Sequence, residues 1–278
     1  MTILAFTLIM LLGAFMAGLI GSLSGLGGGI IIIPLLTIGM GVDIHYAIGA
    51  ALVSVIATSS GSAAAYVREG ITNMRLGIFL EIATTTGAVC GALISTIAPG
   101  SFIAVLFGLT LIFSSINSLR KKEEHALKQS SPLARSLKLE GSYPDHNGQP
   151  IPYGTKNVLG GFGMMGIAGM MSGLLGIGSG AFKVIAMDNI MRIPFKVSTT
   201  TSNFMMGVTA IASTVIYLQK GYVQPGICMP TMIGVLFGSM AGSRILIRSN
   251  PRKLRLFFAV IILLLALNMI YNGLAGNI

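Results

Sequence analysis

The chain consists largely of hydrophobic runs long enough to cross a lipid bilayer, and this feature limits its possible folds more than any other. A transmembrane helix needs about 20 apolar residues to cross about 30 Å of hydrocarbon. Eight runs approach or exceed that length: 3–24, 46–67, 76–97, 102–119, 157–175, 198–218, 226–247 and 254–275. Only 9% of the 278 residues are charged, which excludes an ordinary globular surface. We predict an all-α integral membrane protein.

Two shorter apolar runs, 29–40 and 180–191, follow glycine clusters, and whether they cross decides the topology. If both cross, every loop Lys and Arg except Lys220 falls on one side, and cytoplasmic loops carry such an excess. If both short runs enter the membrane and return to the same side, the Lys and Arg residues of the loops divide almost evenly between the two sides. We therefore predict about ten segments, with both termini outside the cell membrane and loop 120–156 in the cytoplasm. A hairpin in which one long and one short segment each enter the membrane halfway and return places the loops on the same sides as two full crossings do. The charge distribution is compatible with both arrangements.

The two halves of the chain are related by an internal repeat. A shift of 151 residues aligns 17–93 with 168–244 without a gap, and 14 of the 77 pairs are identical. The identities pair the two glycine clusters with each other. They also pair two GxxxG spacings, Gly87 and Gly91 with Gly238 and Gly242, for which we predict close helix packing.

The repeat predicts three parts of the chain: an N-terminal repeat over 1–119, a flexible cytoplasmic linker over 120–156, and a C-terminal repeat over 157–278. Each repeat contains an odd number of crossings, so the second is inverted relative to the first. Inverted repeats with interrupted helices are typical of secondary transporters, whose binding site lies where the halves meet.

The glycine clusters are the predicted centre of an anion site. A break in a membrane helix leaves N–H groups without intrahelical partners, and these groups attract anions. The candidate binding residues in the clusters are Gly25, Gly27, Gly28, Gly29, Gly176, Gly178, Ser179 and Gly180. A tight turn between helices is the alternative explanation of each cluster.

Hydroxyl-rich helix starts follow the clusters, and their side chains could replace the hydration shell of an oxyanion. The candidates are Ser54, Thr58, Thr199, Thr200, Thr201, Ser202 and Asn203. Each hydroxyl could instead bond a helix carbonyl.

Two ionisable residues in the apolar segments are further candidates. Lys183 is a candidate cation that binds the anion, although it could also snorkel or pair with Asp188. Glu81 is a candidate carrier of a coupling proton, with a structural hydrogen bond as the alternative.

Other functional classes are disfavoured by the same sequence. The net charge of +10 comes from short basic clusters between apolar runs, so we predict no nucleic-acid partner. The three histidines lie in predicted loops without partners at catalytic or metal-ligand spacing. We therefore predict neither an enzyme nor a bound metal or cofactor.

The cluster from Gly25 to Gly29 leading to Pro34, its echo at Gly176 to Gly180, and the Ser/Thr-rich segments that follow resemble the sulfite exporter TauE/SafE family. This family is also called the toluene sulfonate uptake permeases, and the similarity spans residues 5–275. The resemblance implies an inner-membrane carrier, driven by an ion gradient, for sulfite, sulfonates or related organic anions.

These observations predict a secondary transporter that moves a small anion by alternating access, with a proton or sodium ion as possible coupling partner. An anion channel of the same architecture and a non-transporting receptor or scaffold are the alternatives.

Overall fold

The structure, a computed structural model, describes residues 3–24, 27–68, 70–119, 130–144, 149–246, 251–276 and 278. Eight long helices dominate it. They are α1 (Ile3–Ser24), α3 (Ile44–Arg68), α4 (Met74–Ser95), α5 (Gly100–Leu119), α7 (Val158–Leu175), α9 (Phe195–Gln219), α10 (Pro225–Leu246) and α11 (Pro251–Leu274). The shorter elements are α2 (Gly29–Met40), α6 (Pro132–Ser136), β1 (Gly141–Pro144), β2 (Pro150–Tyr153) and α8 (Gly180–Ile185), which continues into a π-helical turn (Ala186–Ile190).

The predicted class, an all-α membrane protein, is confirmed. Among the described residues, six helices are long and apolar enough to span a bilayer, and shorter apolar stretches cover Phe6–Ser22, Gly29–Met40 and Ala259–Leu274. Large apolar side chains such as Leu12, Ile78 and Leu264 are more than 60% exposed. Many Ser and Thr side chains are buried instead, a distribution that suits lipid as the surrounding solvent. The count of ten membrane segments stays a prediction.

The helices of the two halves have equivalent bounds. Shifting α3 by 151 residues gives the bounds of α9, and the same shift converts α4 into α10. Gly27 and Gly178, which are equivalent under this shift, both have positive φ, as do Gly70 and Gly221. The repeat found in the sequence therefore has a counterpart in the backbone.

Helix packing follows the same equivalence, but the partners are exchanged between the halves. Helix α1 packs on α10, and its equivalent α7 packs on α4; helices α3 and α9 pack against each other, as do α5 and α11. At the GxxxG positions, Gly87 lies against Gly166 O, Gly91 against Met170 O, Gly238 against Phe15 O and Gly242 against Leu19 O. The predicted packing role of these glycines is confirmed, because a side chain there would overlap a backbone oxygen of the neighbouring helix.

Part of the predicted flexible linker has a defined structure. The antiparallel strands β1 and β2 form a hairpin whose Tyr143 and Tyr153 are buried with Leu139 in a core that includes Leu76 of α4. Asn73 Nδ2 donates to Tyr153 Oη at 2.8 Å and to Leu139 O at 3.2 Å. The prediction underestimated order here, because a few aromatic and aliphatic residues suffice to dock this short hairpin.

Candidate functional site

Both glycine clusters interrupt the helices, as predicted. Gly27 has φ +82° and Gly178 has φ +66°, values that L-residues rarely adopt. Gly176 ends α7 with φ +69°, and Ser179 precedes α8 with φ +46°. All described residues of both breaks are buried, from 27 to 29 and from 176 to 180. Gly25, the remaining candidate, lies outside the described residues.

The two breaks meet in the protein interior. A Cβ added to Gly29 would lie 2.6 Å from Gly176 O, so the two backbones are in direct contact. Val55 of α3 and Met206 of α9, which are equivalent in the repeat, both contact Gly27 and Gly178. The breaks are therefore held between the two central helices rather than exposed on the surface.

A buried polar chain begins in the first turn of α8. Lys183 is 0% exposed, and its Nζ donates to Thr209 Oγ1 at 2.6 Å. Thr209 Oγ1 lies 2.6 Å from Glu81 Oε1, and Glu81 is 8% exposed. Within the described part of the chain, no carboxylate lies within salt-bridge distance of Lys183. The Lys183–Thr209–Glu81 chain thus connects a cation to a carboxylate through one hydroxyl.

Both ends of the Lys183–Thr209–Glu81 chain have unused capacity for hydrogen bonds. A lysine ammonium has three donors, and its hydrogen bond to Thr209 is the one found for Lys183 among the described residues. Glu81 Oε2 is buried without a hydrogen-bond partner in the described structure. Buried polar atoms normally have partners, so such atoms often mark a functional position.

A small cavity lies beside the second break. It is lined by Ile30, Thr110, Leu111, Ser114, Ile177, Ser179, Gly180, Ala181 and Phe182. The hydroxyls of Ser114 and Ser179 are both buried and have no hydrogen-bond partner among the described residues. Two hydroxyls that face one cavity in this state suit a water molecule or an oxyanion.

Comparison with known proteins gives the family. The family model described as "Sulfite exporter TauE/SafE" matches residues 10–269, which is nearly the whole chain. The chain belongs to the TauE/SafE family. Its resemblance to this family, inferred above from the glycine clusters, is confirmed.

Curated relatives of this TauE/SafE protein carry transporter names. The probable membrane transporter proteins YunE and YjnA of Bacillus subtilis (strain 168) are 26% and 27% identical to it. The YunE alignment covers 98% of this chain and 99% of that protein, and the YjnA alignment covers 94% and 98%. The sulfite exporter TauE/SafE family protein 5 of Arabidopsis thaliana is 32% identical over 38% of this chain and 24% of its own length. No solved structure gives a significant match.

The relatives' names support a membrane transporter rather than an enzyme for this TauE/SafE chain. The part of the chain that the structure describes holds no group of three or more His, Cys, Asp or Glu side chains that could bind a metal ion. Of the three histidines, His45 faces Asp43, with Nδ1 3.1 Å from Oδ1.

Four of the predicted hydroxyl ligands donate to helix carbonyls in the TauE/SafE structure, and three of the four bond within their own helix. The hydrogen bonds run from Ser54 to Ala50 O, Thr58 to Ser54 O, Thr200 to Lys196 O and Val197 O, and Ser202 to Gly180 O. Thr201 Oγ1 accepts from the backbone N–H of Asn73 at 3.2 Å. The Thr199 hydroxyl and Asn203 Nδ2 are buried without partners among the described residues. Ligand binding by any of these side chains stays a prediction.

Sequence reasoning omitted Thr209 and Ser114 from the site. Thr209 was visible only as the repeat equivalent of Thr58. Its contact with Glu81 joins residues 128 positions apart, and no local pattern reveals such a distance. Ser114 lies in an ordinary apolar stretch of α5, so nothing in the sequence distinguishes it.

Proposed function

We propose that the protein is a secondary transporter that moves a small anion across the cell membrane by alternating access. The passenger is a sulfur-containing oxyanion or an organosulfonate such as sulfite. The main support for this proposal is Lys183, a fully buried cation in the first turn after a helix break. Its ammonium group donates a hydrogen bond to one hydroxyl, that of Thr209.

The position of Lys183 favours an anionic passenger for a physical reason. A charged side chain within the membrane is costly and is normally retained for function. Its cost falls when an anion supplies the missing hydrogen bonds, because charge-assisted bonds are about twice as strong as neutral ones. A sulfite or sulfonate group offers three acceptor oxygens to the ammonium, to neighbouring hydroxyls and to the broken backbone.

The cavity beside the second break is the proposed entry to this site. Ser114 and Ser179 offer two hydroxyls there, and hydroxyls bind an oxyanion without adding a fixed charge that would hold it too tightly. The cavity is small in this conformation, so we infer an occluded state that opens during the transport cycle.

Two inverted repeats explain how the site could be reached from either side. Equivalent helices pack with exchanged partners in the two halves, and such pseudo-symmetry allows two arrangements of similar free energy. The distribution of Lys and Arg supports a cytoplasmic 120–156 loop and outside termini, as the sequence predicts. In this proposal the ten segments rock around the contact between Gly29 and Gly176.

Counterflow in proteoliposomes tests the proposal. Vesicles loaded with unlabelled sulfite are diluted into a trace of radiolabelled sulfite. The membrane potential is clamped at zero with valinomycin and equal potassium on both sides, so that no diffusion potential can concentrate the label. Under this clamp a carrier accumulates the label transiently, because bound label exchanges for internal sulfite, whereas an anion channel lets the label equilibrate without accumulation. Accumulation that depends on the protein supports the proposal, and simple equilibration identifies a channel.

Lys183→Met provides the site-specific arm of the same assay. Hydrogen bonds to charged groups contribute about 1.5–3 kcal/mol, so the apparent affinity for sulfite should fall by about tenfold to a hundredfold. Lys220→Met is the matched control, because Lys220 is an exposed lysine at the end of α9. An unchanged affinity in Lys183→Met contradicts the proposed site.

A further inference from the structure

The polar chain at Lys183 exists in only one of the two repeats. Under the shift of 151 residues, Thr209 corresponds to Thr58, but Lys183 corresponds to Ile32 and Glu81 to Met232. Ile32 is fully buried, as Lys183 is. Backbone symmetry therefore supplies two equivalent places, and charged side chains occupy one of them. Each protein molecule therefore has one such charged site, in place of two symmetric ones.

The direction of the hydrogen bonds in this site follows from its chemistry. The Lys183 ammonium can only donate, so Thr209 Oγ1 accepts from it. The single hydroxyl proton of Thr209 then points to Glu81 Oε1 at 2.6 Å or to Met205 O at 3.0 Å. Thr85 Oγ1 also donates to Glu81 Oε1, at 3.3 Å. The hydroxyls of Thr209 and Thr85 therefore both lie within hydrogen-bonding distance of Glu81 Oε1.

We propose that Glu81 is the resident counter-anion of Lys183, that the passenger displaces it, and that Glu81 then takes up the proton that travels with the passenger. This inference rests on the proposed function and adds its coupling ion and its stoichiometry, one proton for each monovalent anion.

Charge balance supports this cycle. The empty site contains one ammonium and one carboxylate, so its net charge is zero. A bound monoanion would leave the site with a net negative charge inside the membrane, which is costly. Protonation of Glu81 at the unpartnered Oε2 restores neutrality. Release of the anion on the other side reverses the step, and Glu81 returns the proton there.

The elements around the site carry few other titratable side chains. Helices α5 and α7, which pack near the site, carry no titratable side chain. Helix α9 carries Lys196 and Lys220, both exposed near its ends, and Tyr217, whose hydroxyl donates to Ser95. Asp188 lies on the π-helical turn after α8. Among the described residues, hydrogen bonds through Thr209 connect Glu81 to Lys183.

The test uses purified protein in proteoliposomes with radiolabelled methanesulfonate, which is a monoanion at every pH of the assay. A proton gradient, acidic outside, is imposed while the membrane potential is clamped at zero. The wild-type protein should accumulate methanesulfonate about tenfold for each pH unit of gradient. Glu81→Gln should lose this accumulation but still exchange internal for external methanesulfonate, because exchange requires no net proton movement.

Variants of Thr209 test the hydroxyl bridge. Thr209→Val removes the link between Lys183 and Glu81 and should reduce the proton-driven accumulation, and Thr209→Ser should restore it. Thr214→Val is the matched control, since the Thr214 hydroxyl on the same helix donates to Ala210 O. Glu140→Gln, which alters an exposed carboxylate of the 120–156 loop, controls for the loss of a charge.

Three results would overturn the inference in distinguishable ways. If Glu81→Gln accumulates methanesulfonate as the wild type does, Glu81 does not carry the proton. If the wild type exchanges methanesulfonate but ignores the proton gradient, the proton link is wrong and the proposed function stands. If the wild type does not exchange methanesulfonate, the proposed function fails for this passenger, and the coupling fails with it.

Discussion

Lys183 Nζ and Thr209 Oγ1 lie 2.6 Å apart in the protein interior, where the hydroxyl separates the ammonium from the carboxylate of Glu81. Because the two charges are bridged rather than in direct contact, each keeps capacity to bind another group. In a direct salt bridge, the Lys183 ammonium and the Glu81 carboxylate would satisfy each other and leave less capacity for a ligand. The bridged geometry is therefore better suited to a site that alternates between an internal and an external partner.

The first prediction concerns the stability of this charge pair. Removing one partner of a buried pair costs about 3–5 kcal/mol, whereas replacing both by apolar residues is often neutral or stabilising. Lys183→Met should therefore lower the melting temperature in detergent, and the double variant Lys183→Met, Glu81→Leu should recover it. Thermal unfolding of the two variants and the wild type measures this. A double variant less stable than Lys183→Met would contradict the buried pairing.

The second prediction concerns the second break. A Cβ on Gly178 would lie 3.0 Å from Val55 Cγ1 and 3.2 Å from Met206 Sδ, and Gly178 has φ +66°. Gly178→Val should abolish sulfite counterflow while the protein still inserts into the membrane, and we expect the same of Gly27→Val. The measurement is counterflow normalised to the amount of membrane-inserted protein.

Gly221→Val is the control for that prediction. Gly221 also has positive φ, at +77°, but a Cβ there meets nothing within 4 Å. Backbone strain alone costs about 1–2 kcal/mol in either case, so the control separates strain from crowding at the break. Normal counterflow in Gly178→Val would show that the break does not contribute to transport.

The third prediction concerns the close contact of α4 with α7. A Cβ on Gly87 would overlap Gly166 O, so Gly87→Leu must push the two helices apart and should reduce the yield of folded protein. Gly163→Leu on α7 is the control, because a Cβ at Gly163 meets nothing within 4 Å. Size-exclusion profiles of both variants in detergent measure the effect. Equal yields of folded protein from the two variants would contradict the packing described here.

The fourth prediction concerns the hairpin of the 120–156 loop. Burial raises the pKa of Tyr153 from 10.0 to about 12 because the charged form is poorly solvated. The unfolded hairpin would lose this proton first, so its docking should weaken as the pH rises from about 10 to about 12. The tyrosinate absorbance of the wild type minus that of Tyr153→Phe should show a midpoint near pH 12. A midpoint near pH 10 would indicate an exposed hairpin.

The sequence predicted the elements of this fold well, because lipid imposes long apolar helices and because the repeat makes each half a check on the other. It placed both breaks for the same reason. It also singled out Lys183 and Glu81 from their cost in a membrane. The sequence could not show that Lys183 and Glu81 are connected, since Thr209 reaches Glu81 only when α4 packs on α9. The two unpartnered hydroxyls at the cavity depend likewise on how α5 meets α8.

The most direct test of the central claim is to locate the bound anion. Selenite is a heavier analogue of sulfite, and its selenium gives an anomalous signal in crystals of the protein. The account predicts a selenite oxygen at about 2.8 Å from Lys183 Nζ, with the peak absent from crystals of Lys183→Met. A selenium peak elsewhere, or one that persists in Lys183→Met, would contradict it.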